Sequence, residues 1–371
     1  MPNQLSRRDL LAALVAAVPS AAVARIAGAQ TAPATPPPPA PITGPQVAAA
    51  PTDLKAPYPE AGKVNRLDPR LDVLIDADAK VEKVCDGFLH AEGPVWVGGS
   101  NGYLLVSDTQ VNHIVKWSPT EGRSIWVEPS GYDVGGVAWN PAIREPGTNG
   151  LILGRGGLIV AGSGGRAVYR IDLGTKKKTV LVDHYMGKRL NTPNDCVLGP
   201  DGSIYFTDPS YGLVNRNAGP DRDLDYMGIF RLANDNSLHL IDIMTLPNGI
   251  GVSPDGTKLY SSDQTTGWVM WDLDKQGNAS NRRQFVARNV VMGGDSLKID
   301  SAGNMWAATR EGITVFTPAG ERIGFISTDQ GVSNCEIGAD GYLYLASSTR
   351  VLRVKTKAKK LLFKVAGNSR S

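Results

Sequence analysis

Histidine, cysteine and aromatic side chains are scarce in this chain of 371 residues, which has four His, three Cys and 7% Phe, Trp and Tyr. The histidines, His90, His113, His184 and His239, show neither HxxxH nor HExxH spacing, and Cys85, Cys196 and Cys335 form no CxxC pair. Soft-metal frameworks and disulfide scaffolds therefore drop out as leading ideas. Charge is scarce too. The formal net charge is +3, and Arg7, Arg8 and Arg25 against Asp9 place +2 of it before residue 30. The small remainder disfavours nucleic-acid binding by bulk electrostatics. Long apolar runs are missing as well: the uncharged stretch from Leu10 to Ala24 falls short of the ~20 residues a mature membrane span needs. What the chain does have is 42 glycines and 25 prolines, a composition that favours many turns and repeated β structure over a helical bundle.

The N-terminus reads as an address label. Ser6-Arg7-Arg8-Asp9-Leu10-Leu11 precedes an Ala-rich core, Arg25 and then Ala27-Gly28-Ala29, which resembles a bacterial twin-arginine export signal with an A-x-A cleavage site. Residues 1–29 are expected to be removed and the mature chain to be periplasmic or secreted. No cysteine lies near the cleavage point, so a stable membrane anchor is not expected. Residues 30–61, with Pro36-Pro37-Pro38-Pro39, lack apolar periodicity and read as a Pro/Ala-rich linker, extended or wrapped on the domain surface. Residues 62–371 form the remaining domain.

Within that domain a Gly turn followed by strand-like residues recurs six times, at Gly102, Gly157, Gly202, Gly256, Gly303 and Gly341, at intervals of 38 to 55 residues. Four short strands fit each interval, which predicts an all-β, six-bladed β-propeller. The strands leading into these turns align as Glu92-Gly-Pro-Val-Trp96, Gly135-Gly-Val-Ala-Trp139, Asn194-Asp-Cys-Val-Leu198, Asn248-Gly-Ile-Gly-Val252, Asp295-Ser-Leu-Lys-Ile299 and Ser333-Asn-Cys-Glu-Ile337. Their third and fifth positions are mostly apolar, the period-two mark of a strand packed between neighbours. Cys196 and Cys335 then fall on opposite blades, too far apart for a disulfide, and three buried free thiols are expected. Trp96, Trp139 and Trp306 sit in core phases.

The first aligned position differs from the rest. It carries oxygen in five of six copies, and in a propeller it faces the central axis. Glu92, Asn194, Asn248 and Asp295 aimed at one point are costly without compensation, and a bound cation supplies that compensation. The donor set is hard oxygen, which selects calcium over zinc or copper, while magnesium would demand tighter geometry and more water. Two formal negatives leave such an ion Lewis acidity toward a substrate oxygen. Without a cation, these groups would cap strand ends around a water-filled channel.

Four motifs in this order carry a resemblance: Glu92-Gly-Pro-Val-Trp96; Asn191-Thr-Pro-Asn194-Asp195 with Thr207-Asp208-Pro209-Ser-Tyr-Gly212; Leu246-Pro-Asn248-Gly-Ile; and Gly294-Asp295-Ser with Gly303-Asn-Met-Trp306. Across roughly residues 70 to 350 the chain resembles the gluconolactonase, regucalcin and luciferin-regenerating-enzyme family. That resemblance implies a six-bladed propeller with an axial divalent cation, usually calcium, with magnesium, manganese or zinc as substitutes, held by Glu92, Asn194, Asn248 and Asp295. It also implies hydrolysis of a small-molecule lactone. The chain departs from the family at Thr192, where regucalcin-like members carry Arg, and at Ser163-Gly-Gly-Arg166, where many gluconolactonases carry a Glu-His pair. Gly135 and this segment predict a roomier pocket at blade two.

The expected chemistry is ester ring opening, with Asp295 as general base on the attacking water. Asp195 is the alternative base, or a group that orients the ligands from behind. Asn194, Asp195, Asp208, Tyr211 and Arg310 are the candidate substrate contacts, with Tyr226 as a further wall residue, and Asp208 can equally cap its turn. Phosphotriester hydrolysis of the diisopropylfluorophosphatase type uses a similar Glu, Asn, Asn, Asp set, and a non-catalytic calcium-stabilised binding propeller is the reading from a different class.

Overall fold

The glycine turns join antiparallel strands, as their spacing predicts. In blade three, Cys196–Leu198 reaches Ile204–Asp208 through Asp201-Gly202, where Gly202 has φ of 84° and Asp201 Oδ1 accepts the Ser203 N–H at 3.0 Å. That backbone conformation strains any residue with a Cβ, which explains the recurring Gly. Gly256, Gly303 and Gly341 repeat it at φ of 70°, 88° and 85°.

The computed structural model describes residues 47–131, 143–214 and 222–363. Among the described residues there is no α-helix, only short strands and one 3-10 turn at Pro69–Val73, and no helix is long and apolar enough to cross a membrane. The expected export signal, the first half of the expected linker, Gly135 and Trp139 lie outside the described residues.

Six antiparallel sheets form the blades of a β-propeller. Their inner strands are Ala91–Val97, Leu151–Gly154, Cys196–Leu198, Pro247–Val252, Gly293–Ile299 and Asn334–Ile337. Blade six takes its outermost strand from the other end of the chain: Val81–Asp86 pairs with Arg350–Lys355, Val81 opposite Val354. This closes the ring, and it assigns Cys85 to the outer edge of blade six. Gly62–Arg66 adds a fifth strand to blade five by pairing with Arg322–Thr328.

Alternate side chains fill the spaces between blades. Trp306, Trp117 and Trp268 are fully buried, and Trp96 stacks on Tyr344 of blade six with ring centroids 5.3 Å apart. Burial of each such ring is worth roughly 2–3 kcal/mol. The three cysteines are buried and unpaired. Residues 47–61 lie against the propeller rather than away from it: the Thr52 N–H reaches Asp86 Oδ1 at 2.7 Å, and Tyr58 meets the Trp117 ring at 6.3 Å.

One blade differs from its expected layout. The strand entering the Gly156-Gly157 turn is Leu151–Gly154, not residues 135–139, because Arg155-Gly156 makes a tight hairpin that pairs Gly154 with Gly157. Register then puts Asn149, not Gly135, at the axial position of blade two: Leu151 faces Val160 as Cys196 faces Phe206, and the Asn149 N–H bonds Ala161 O as the Asn194 N–H bonds Thr207 O.

Candidate functional site

The axial residues are held by hydrogen bonds that run from blade to blade around one end of the axis. Ser107 Oγ donates to Asn149 O at 2.7 Å, the Gly150 N–H to Asn194 O at 2.7 Å, and Thr207 Oγ1 to Asn248 O at 2.6 Å. Ser262 Oγ donates to Asp295 O at 2.8 Å, the Ser296 N–H to Ser333 O at 3.0 Å, and Ser333 Oγ to Ala91 O at 2.8 Å. Each blade thus fixes the backbone of the next, which leaves the axial side chains free for other work.

Two further local features aim those side chains. Irregular pairing interrupts the ladder between Glu92 and Val95, between Pro247 and Ile250, and between Gly293 and Leu297, and such bulges turn a side chain out of its strand. Glycines also let the inner strands crowd together. A Cβ on Gly93 would lie 2.0 Å from Asn149 O, one on Gly150 2.6 Å from Asp195 Oδ1, and one on Gly249 2.6 Å from Ser296 Cα.

The ring membership differs from expectation at two blades. Ser333 turns its hydroxyl to the backbone oxygens of Ala91 and Ala346, so blade six gives no axial donor from that position. Its neighbour Asn334 instead donates to Glu92 Oε2 at 3.3 Å. Blade two supplies Asn149 where an empty position was expected. In the Ser163-Gly-Gly-Arg166 segment of this blade, Gly164 packs directly on Pro146, where a Cβ would lie 1.8 Å from the proline carbonyl oxygen.

Glu92, Asn149, Asn194 and Asn248 are 3 to 5% exposed, and Asp295 is half-buried. The side-chain oxygens of Asn149, Asn194 and Asn248 are buried and accept no hydrogen bond. Burial pushes the Glu92 carboxyl up to about 7, with the Gly93 N–H opposing and Asp195 adding to the rise. Burial and then the Glu92 charge raise Asp295 well above the usual carboxylate range, against His90 and Asn248. Unaccepted carbonyl oxygens beside mutually repelling carboxylates are what a hard divalent cation would satisfy. Among the described residues no three His, Cys, Asp and Glu side chains stand together as a metal cluster, so the donor set rests on carboxamides as much as on carboxylates.

An acid whose folded pKa exceeds its unfolded value holds extra protons in the native state, so stability falls as pH rises between the two values. For Glu92 that interval runs from 4.5 to about 7, worth about 3 kcal/mol at 1.36 kcal/mol per pKa unit. Thermal unfolding in excess chelator is expected to show the midpoint dropping across this interval, with Glu92→Gln making the slope shallower. A buried Asp208, also pushed up to about 7, and Asp295, raised well above the usual carboxylate range, contribute in the same direction. A flat wild-type profile would contradict the burial argument.

The other expected contacts separate into two groups. Tyr211 stands at the site: it is half-buried, its hydroxyl lies 3.4 Å from Leu246 O, and burial followed by the Asp295 charge raises its pKa. Arg310 is exposed, and its N–H bonds O of Met292, which precedes the strand carrying Asp295, at 2.8 Å. Asp195 and Asp208 are fully buried. Asp208 Oδ2 accepts the Asn191 N–H at 2.8 Å, the capping task that Asp108 and Asp263 perform in blades one and four. Asp195 lies 3.6 Å from Lys298 Nζ, an ion pair from blade three to blade five. Burial lowers the Lys298 pKa, but Asp195 and then Glu336 more than offset it, and the net shift is upward. Tyr226 lines a separate groove of about 380 Å³ with Arg222, Met244 and Arg282. Thr192 ties Pro209 O (2.6 Å) to the Gly212 N–H (3.1 Å).

One acid was not legible in the repeats. Glu145 is 6% exposed, its Oε2 accepts no hydrogen bond, and its charge acts on both Glu92 and Tyr211. The loop that carries it is fixed by the Arg144 and Glu145 N–H groups, which share Gly212 O at 2.6 and 3.2 Å.

A six-bladed propeller with carboxylate and carboxamide oxygens gathered at one end of its axis defines the class of the molecule. The chain belongs to the SMP-30/gluconolactonase/LRE-like family, whose model matches residues 90–349. It is 38% identical to a gluconolactonase of Zymomonas mobilis, over 96% of this chain and 98% of that one. Two solved structures share its fold. A gluconolactonase of Xanthomonas campestris is 24% identical, with a TM-score of 0.70 over 83% of this chain and all of that one. A calcium-binding protein, regucalcin, of Agrobacterium tumefaciens is 15% identical, with a TM-score of 0.59 over 75% of this chain and 94% of that one.

Proposed function

We propose that the chain opens the ring of a lactone, with calcium held by Glu92, Asn194, Asn248 and Asp295. The observation that carries this reading is the gathering of two mutually repelling carboxylates and unaccepted carboxamide oxygens at one end of the axis. The near-full-length similarity to the Zymomonas gluconolactonase supports a sugar lactone as substrate. When bound, calcium supplies Lewis acidity toward a carbonyl oxygen.

The remaining roles belong to side chains. Asp295 is the axial carboxylate most open to the mouth of the site, and it takes the proton of the attacking water as the water oxygen bonds to the carbonyl carbon. The ring carbon–oxygen bond then breaks, and the released alkoxide recovers a proton, giving a hydroxy acid. Tyr211, Glu145 and Arg310 provide the donors and acceptors that a polyhydroxylated ring requires. The Arg7-Arg8 pair and the Ala27-Gly28-Ala29 site support export by the twin-arginine route and action in the periplasm or outside the cell.

The test is a panel of glucono-δ-lactone, a pentonolactone, an unsubstituted aliphatic lactone and paraoxon, each assayed with calcium and with chelator. The expected result is calcium-dependent hydrolysis, fastest on the hydroxylated lactones. Faster turnover of paraoxon than of any lactone would favour the phosphotriesterase reading, and no hydrolysis of any substrate would leave a binding propeller.

A further inference from the structure

Blade two contributes more to the axial site than the sequence pattern allows. Asn149 occupies the same register position as Asn194, with its N–H on Ala161 O as the Asn194 N–H is on Thr207 O. Its carbonyl is held by Ser107 Oγ at 2.7 Å, as Thr207 holds Asn248 and Ser262 holds Asp295. Its backbone lies against Gly93, the residue after Glu92, so closely that a Cβ there would be 2.0 Å from Asn149 O. Its side chain is 3% exposed, and Oδ1 accepts no hydrogen bond, a condition shared by the Asn194 and Asn248 oxygens.

From this equivalence we propose that Asn149 is a fifth protein oxygen donor to the axial cation. The inference rests on the reading of the ring as a cation site. Calcium accepts six to eight oxygens, so four side chains leave room for a fifth and for substrate or water. A carboxamide suits this position because it adds coordination without adding charge. Two carboxylates remain the only formal negatives, and the ion keeps its pull on a substrate oxygen. An aspartate in the same place would raise affinity at the expense of that pull. Blade six, whose Ser333 hydroxyl is committed to backbone oxygens, provides no equivalent donor.

The test is calorimetric titration of calcium into the chelator-treated full-length protein, for wild type, Asn149→Ala and Asn149→Asp, with circular dichroism and thermal melts in chelator to check the fold. Asn149→Ala is expected to weaken calcium binding by about tenfold, and Asn149→Asp to tighten it, since ligand count and charge tune such sites. If both variants match wild type within twofold, Asn149 is not a ligand. If the alanine variant does not fold, the near-isosteric aspartate decides: tighter binding upholds the assignment, and unchanged binding overturns it. A wild-type protein that takes up no calcium would instead overturn the axial-cation reading itself, which keeps the two failures apart.

Discussion

Asp295→Asn is expected to lower lactone hydrolysis by about a thousandfold, in the range that loss of a positioned general base produces. The same substitution is expected to raise the thermal stability of the cation-free protein. These opposite effects share one cause. Burial and then the Glu92 charge raise the Asp295 carboxyl, so an ionised Asp295 is costly in the cation-free protein. Replacing the Asp295 carboxylate by a carboxamide relieves that cost, while it also takes the charge from a cation ligand and removes the base. The activity assay and a melt in chelator test both halves. A variant that loses activity and also loses stability would indicate a structural role for Asp295 instead.

Lys298→Met is expected to destabilise the protein by roughly 3–5 kcal/mol, the cost of leaving one member of a buried ion pair alone. Asp195 is wholly buried 3.6 Å from Lys298 Nζ, and its Oδ2 has no hydrogen-bond partner, so no solvent replaces the lost ammonium. The pair runs from blade three to blade five close to the axial ring, where the Asp195 charge acts on both Glu92 and Asp295. Asp195→Asn in the Lys298→Met background removes the stranded charge and is expected to recover most of the loss. Chemical denaturation of the two single variants and the double variant measures this as a cycle. Additive losses would mean that the two side chains act independently.

Much of this architecture was legible because a propeller repeats. Gly202, Gly256, Gly303 and Gly341 adopt the left-handed turn that only glycine takes easily, and counting back from such turns placed Glu92, Asn194, Asn248 and Asp295 in one axial phase. The counting failed at blade two, where Gly135-Gly-Val-Ala-Trp139 imitates the apolar alternation. The true inner strand is only Leu151–Gly154, joined to the next by a two-residue hairpin at Arg155-Gly156. The signal was present all the same: Asn149-Gly150 repeats the Asn248-Gly249 dipeptide.

What lay beyond the sequence was set by contacts between distant segments. Glu145 sits on no strand, and its burial comes from the Gly212 carbonyl that holds its loop. Asp195 and Asp208 adjoin axial or turn residues in the chain, yet one pairs with Lys298 across the blades and the other caps the segment before Asn191. Nothing local distinguishes such groups from substrate contacts. The outer strand of blade six likewise comes from Val81–Asp86, a pairing over more than 260 residues of chain that no short-range pattern encodes.

The most direct measurement of the central claim is the rate of glucono-δ-lactone hydrolysis by the purified protein, before chelation, after chelation and after calcium is restored. The axial ring as an oxygen-built calcium site predicts that chelation abolishes hydrolysis and that calcium recovers it in wild type but not in Asp295→Asn. An undiminished rate in excess chelator would contradict it.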